Sequence, residues 1–258
     1  MWAETRKYLK TRLFAALNAL ALVLLLVYSL LIIGAERVGL MEVTYFDYLI
    51  GALNTYMVTI LPFSLCLFGA YTVVSEYQWR TIVWIAFDGL SRLRWISQKA
   101  LLCVLIDIVL PFAYVMPALL IARFAFPFAS VLVEHRFLGP SEALLRLFAA
   151  CLWVAIMLLP FALLALVLAV ITRSTLVSGM GSAMVYYIAL IVQNTGWNPL
   201  RPLFQVARDL VQSANLQTPD FWASVVQASI LIVLLIGVGM VSLIVLFTRS
   251  DLTPASQG

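Results

Sequence analysis

Charges in this chain come in clusters, and the gaps between clusters are long enough to cross a bilayer. A spanning helix needs about 20 apolar residues. Arg12 to Glu36 encloses a first apolar run, near 13–35, and Asp47 to Glu76 a second, near 49–74. Lys99 to Arg123 encloses a third, near 100–122, interrupted only by Asp107. Arg146 to Arg173, Arg173 to Arg201 and Asp220 to Arg249 enclose the fourth, fifth and sixth. The runs do not alternate as barrel strands would, and an open hairpin cannot satisfy its backbone in lipid, so the expected fold is all-α with six transmembrane helices.

Composition excludes the alternatives. Of 258 residues, 64% are hydrophobic and 11% charged, whereas a soluble domain carries about a quarter charged residues. The polar remainder is too small for a separate soluble domain, so residues 1–258 read as a single membrane domain. The net charge of +4 does not point to nucleic acid, because the basic residues stand beside apolar runs, where they set orientation. Arg6, Lys7, Lys10, Arg12, Arg80, Arg92, Arg94, Lys99, Arg173 and Arg249 share one face; Arg37, Arg123, Arg136, Arg146, Arg201 and Arg208 share the other. The richer face is expected to be cytoplasmic, with both termini on it. The basic N-terminus resembles a signal-peptide start, but the run behind it is too long and lacks a clear cleavage site, so an uncleaved anchor is expected.

Chemistry-bearing residues are few. Cys66, Cys103 and Cys151 lie inside apolar runs without metal-ligand spacing, and His135 has no partners for a zinc site. With one histidine and no G-x-S-x-G, no catalytic residue, metal or bound cofactor is expected. Asp107 is the one charged residue well inside a span, and such residues are costly and often functional. Asn54, Thr55, Gln193 and Asn194 fall near the outer ends of spans and are candidates for a translocation path. Pro62, Pro111, Pro117 and Pro160 can kink helices around a cavity. The small residues Ser178, Gly179, Gly181, Ser182 and Ala183 permit close packing, within the chain or against a second copy.

Two segments outside the spans are patterned. In "PLFQVARDLVQSA", residues 202–214, Leu203, Val206, Leu210 and Val211 form one stripe and Pro202 suits a helix start, predicting a short amphipathic helix on the outer side. In "SEYQWRTIVWIAFDGLSRLRWISQK", residues 75–99, Ser75 and Gln78 fit a capping box and Asp88-Gly89 a helix end. A short cytoplasmic helix bearing Tyr77, Trp79, Trp84 and Phe87 would anchor equally well on a protein or on lipid headgroups.

Glu76, Thr81, the Leu90-Ser91-Arg92 triplet and Lys99 opening a span resemble the cytoplasmic loop of ABC type-2 exporter permeases. The six-span layout and the ending "FTRSDL" are similar to that family as well. Arg80 replaces a common Gly, and no Pro precedes Ser91-Arg92. The resemblance implies an elbow helix over 1–12, a coupling helix over 76–88 that docks on an ABC ATPase subunit through Glu76, Trp79, Arg80 and Trp84, and support from Arg92 and Lys99. It further implies a second permease copy or paralogue, lipid contacts and export of an amphiphile, with ATP and magnesium bound by the partner. The chain itself has no G-x-x-x-x-G-K-[ST] motif. The alternatives are an ion- or proton-coupled secondary transporter, which would want ion-coupling groups at mid-membrane, and a non-transporting scaffold or mechanotransmission protein.

Overall fold

Apolar runs of this length satisfy their backbone in lipid only by closing their own hydrogen bonds, and helices result. The structure, a computed structural model, describes residues 12–78, 92–127, 131–133, 136–193, 199–213 and 216–249. The elements are α1 (Arg12–Arg37), α2 (Tyr45–Gln78), α3 (Arg92–Ala125), β1 (Val131–Val133), β2 (Arg136–Leu138), α4 (Pro140–Thr172), α5 (Thr175–Val192), α6 (Arg201–Gln212) and α7 (Pro219–Arg249). All of the helices except α6 are long and apolar enough to cross a bilayer, which makes six spans among the described residues and a multi-pass membrane protein.

The helices outrun the apolar runs. α2 starts at Tyr45 because Thr44 and Asp47 form a reciprocal cap: the Thr44 amide donates to Asp47 Oδ2 at 3.1 Å, and the Asp47 amide donates to Thr44 Oγ1 at 3.3 Å. At its other end, α2 runs unbroken through Ser75 to Gln78. The expected helix start at Ser75 is therefore corrected: Ser75 is buried inside a continuing helix, and an N-cap requires non-helical backbone. Residues 79–91, and with them most of the expected coupling helix, lie outside the described residues, as do residues 1–11 of the expected elbow.

The all-α expectation is corrected in one place. β1 and β2 pair antiparallel, Val131 opposite Leu138 and Val133 opposite Arg136. The segment is made of β-favouring residues and lies beyond the spans, where water can meet the unpaired edges.

α2 and α4 form the centre. α2 packs against α1, α3, α4 and α5, while α4 packs against α3, α5, α6 and α7. α1 and α7 lie at the periphery with apolar side chains turned outward, Leu30 at 71% and Val233 at 69% exposure, as lipid-facing surfaces require. One face of the bundle is tied by the Tyr45 amide donating to the Pro127 carbonyl and by the α4–α6 contacts; with the hairpin it makes the hairpin face. The opposite, terminal face is tied by Lys99 to Glu76, by Trp95 stacked on Phe247, and by Arg173 over the Tyr77 ring. α4 and α5 meet there through a two-residue link. Arg173 takes a left-handed conformation (φ 51°) that stops α4, and Ser174 Oγ accepts from the Val177 amide to start α5.

Candidate functional site

The amphipathic helix expected over 202–214 is present as α6, and it forms the roof of a cavity. Leu203, Phe204 and Val206 are buried beneath it. Two side chains of α4 pin its ends: Trp153 Nε1 donates to the Leu203 carbonyl at 3.0 Å, and Arg146 Nη1 donates to the Ser213 carbonyl at 2.6 Å. Arg146 is itself held by Glu142 at 2.7 Å. The roof is thus fixed to the central helix at both ends.

Under it lies a cavity of about 440 Å³, walled by α2, α4, α5 and α6. This volume falls within the usual range for small-molecule sites, about 300–1,000 Å³. The exposed Asn54, Arg208 and Gln212 mark its mouth on the hairpin face; the buried Leu53, Met57, Met157 and Tyr186 mark its floor. Asn54 and Gln193 both line it, so the structure brings these two candidates together across α2 and the end of α5. Asn194 lies outside the described residues. Thr55, next to Asn54, donates to the Gly51 carbonyl at 2.9 Å. Arg208 and Gln212 were not singled out from the sequence. Phe204, Arg208 and Gln212 recur every four residues, beside the apolar stripe, and that spacing was the available signal.

Beneath the floor runs a buried polar file. Tyr186 meets Phe161 edge to face, ring centroids 5.4 Å apart. One turn deeper, Ser182 Oγ donates to the Phe161 carbonyl, and Cys66 Sγ lies 3.5 Å from Ser182 Oγ. Asp107 lies within electrostatic range of the Cys66 and Cys103 thiols. It is wholly buried, and neither carboxylate oxygen has a hydrogen-bond partner among the described residues. Pro111, inside α3, has no N–H to give the Asp107 carbonyl four residues back.

The small residues of α5 pack within the chain. A Cβ on Gly179 would sit 2.9 Å from Leu67 Cα and 2.6 Å from its Cδ2, so only glycine permits this approach to α2. A Cβ on Gly181 would reach Leu168 at an ordinary 3.5 Å. Ser178 and Ser182 are buried.

Glu76 requires a correction. Expected at a docking surface, it is buried and paired with Lys99, Nζ to Oε1 3.0 Å. The antiparallel α2 and α3 bring both side chains into their common seam, where each supplies the counter-charge the other needs once removed from water. Lys99, expected to support the turn or lipid headgroups, is itself buried in this pair. Trp79, Arg80 and Trp84 lie outside the described residues, and Arg92 opens α3. Among the described residues, no group of three or more histidines, cysteines or carboxylates is placed to hold a metal ion.

Compared with known proteins, the sequence matches no protein family, and neither a characterised protein nor a solved structure is similar to it.

Proposed function

We propose that this chain is the transmembrane subunit of an exporter and that the cavity beneath α6 is a chamber on its substrate path. The observation that carries this reading is the cavity itself: an apolar floor, a mouth of Asn54, Gln193, Arg208 and Gln212, and a roof held down at both ends. Apolar walls with a few polar groups at one end suit an amphiphile. The substrate class on this reading is a drug, a lipid-like molecule or an antimicrobial peptide. The terminal face is cytoplasmic, the membrane is the inner one, and the cavity opens outward.

The resemblance to ABC type-2 permeases supplies the engine: a separate ATPase that binds ATP and magnesium, docked at residues 79–88 and Arg92, with a second permease copy or paralogue completing the pathway. Closure of two ATPases would move the docking segments and switch the accessible side by rigid-body motion. Glu76 and Lys99 then act as the rigid joint behind the docking segment.

The test has two parts. Arg80→Glu and Trp84→Ala are expected to lose copurification with the ATPase, while Ala207→Trp, which places an indole in the cavity, keeps it and abolishes export. Association unchanged in both loop variants removes the ATPase part of the reading; export unchanged in Ala207→Trp removes the chamber. One observation favours a second reading, an ion- or proton-coupled transporter: Asp107 in mid-span has no hydrogen-bond partner among the described residues. Export that persists without an ATPase and collapses with a protonophore selects it.

A further inference from the structure

A chamber for amphiphiles still has to choose the sign of the head group. Among the described residues, the cavity lining contains one formally charged side chain, Arg208, and no carboxylate. The same lining includes three neutral amides: Gln212 one turn along α6, Asn54 from α2 and Gln193 from the end of α5. Each amide presents two N–H donors, and the guanidinium presents five. Three separate helical segments therefore contribute side chains with N–H donors to the lining of one cavity.

The neighbouring cation shows what an Arg on this face does when the protein itself uses it. Arg146 is buried and bound to Glu142 at 2.7 Å and to the Ser213 carbonyl at 2.6 Å. Arg208 stands exposed at the mouth of the cavity, on a helix whose position is fixed by Trp153 and by Arg146. Its place is set by the scaffold while its charge is left at the opening of an apolar space.

We infer that the chamber selects amphiphiles with an anionic head, the carboxylate or phosphate held by Arg208 with amide donors from Gln212, Gln193 and Asn54, and the apolar chain lying over Met57, Val154 and Met157. This assignment rests on the cavity being a substrate chamber. Arginine suits the role because its planar fork matches carboxylate and phosphate oxygens two at a time. A cationic amphiphile would meet like charge at the mouth, and a neutral one would leave the guanidinium without its anion.

The same chemistry is carried by a free fatty acid and by the phosphate of a single-chain lipid. Native mass spectrometry of the full chain in a non-ionic detergent separates them, using four probes of matched chain length: a fatty acid, a lysophosphatidic acid, the fatty alcohol and a trimethylammonium amphiphile. The two anionic probes, or one of them, are expected to bind at least roughly tenfold more tightly than the alcohol, the size of a charge-assisted hydrogen-bonded contact. Which one binds identifies the source. Arg208→Gln is expected to erase that preference, and Arg208→Lys to keep most of it. The assignment is overturned if Arg208→Gln retains the anionic preference, or if the trimethylammonium probe binds as tightly as the anions. Ala207→Trp reports on the chamber separately: it is expected to weaken every probe, and unchanged binding of all four sinks the chamber together with the head-group assignment.

Discussion

Two carboxylates are buried in the seam between α2 and α3 and its surroundings, and the bundle treats them in opposite ways. Glu76, at the terminal end, has Lys99 within 3.0 Å, and the same ammonium lies 5.5 Å from the centre of the Trp95 ring. Asp107, eight residues further along α3 and therefore about 12 Å up its axis, has no hydrogen bond to either oxygen among the described residues. The first arrangement joins two helices. The second contributes nothing to holding the fold together, because an unpaired buried carboxyl costs free energy. The contrast separates an architectural charge from one whose presence has to be accounted for by what the protein does.

Breaking the pair should give the largest effect. Lys99→Met removes the ammonium paired with the buried Glu76 at 3.0 Å, and removing one partner of a buried pair costs about 3–5 kcal/mol. The expected result is a large drop in the unfolding midpoint of the detergent-solubilised protein, with Glu76→Gln behaving alike. Asp107→Leu should move the other way. Relieving an unsatisfied buried polar group is worth about 1–3 kcal/mol, so the variant is expected to be more stable than the parent in the same unfolding assay; a loss comparable to Lys99→Met would end the contrast. Ser182→Ala, which removes the hydroxyl that donates to the Phe161 carbonyl near Asp107, should cost only about 1 kcal/mol. The smallest change belongs to the double variant Glu76→Leu/Lys99→Met, expected within about 1 kcal/mol of the parent, since apolar replacement of a whole buried pair is often neutral. If the double variant is as unstable as either single one, the seam needs the charges for more than mutual neutralisation.

How much of this was readable beforehand depends on whether the signal was local. The spans were legible because charge-free runs are a one-dimensional property, and Asp107 was conspicuous as the one charge inside them. The start of α2 was missed although Thr44 and Asp47 spell a cap three residues apart; the apolar run begins later and hid it. The Glu76–Lys99 pair was not legible. Both residues flank span ends, where charges ordinarily meet water, and although 23 positions apart in sequence they meet only when α2 and α3 fold back on each other. The hairpin was obscured for a related reason, since Val131–Val133 and Arg136–Leu138 are too short to show a period. The amphipathic stripe of α6 correctly indicated a surface helix, but a stripe says which side is buried and not what the polar side overlooks. That Arg208 and Gln212 overlook a cavity is a property of α2, α4 and α5 together.

The unequal lengths of the spans carry a mechanical consequence. α5 has 18 residues, about 27 Å of helix, while α2 and α3 have 34 each, about 51 Å. A hydrocarbon slab is about 30 Å thick, so lipid beside α5 has to thin or its ends have to sink. Because α5 is clamped to α2 at Gly179, bonded to α4 through Ser182, and joined to α4 by a link of only Arg173 and Ser174, it has little freedom to tilt away from that mismatch. Thickening the bilayer therefore loads the wall of the chamber that ends in Gln193, thinning it relieves that load, and lipid chain length becomes a handle on how wide that wall stands.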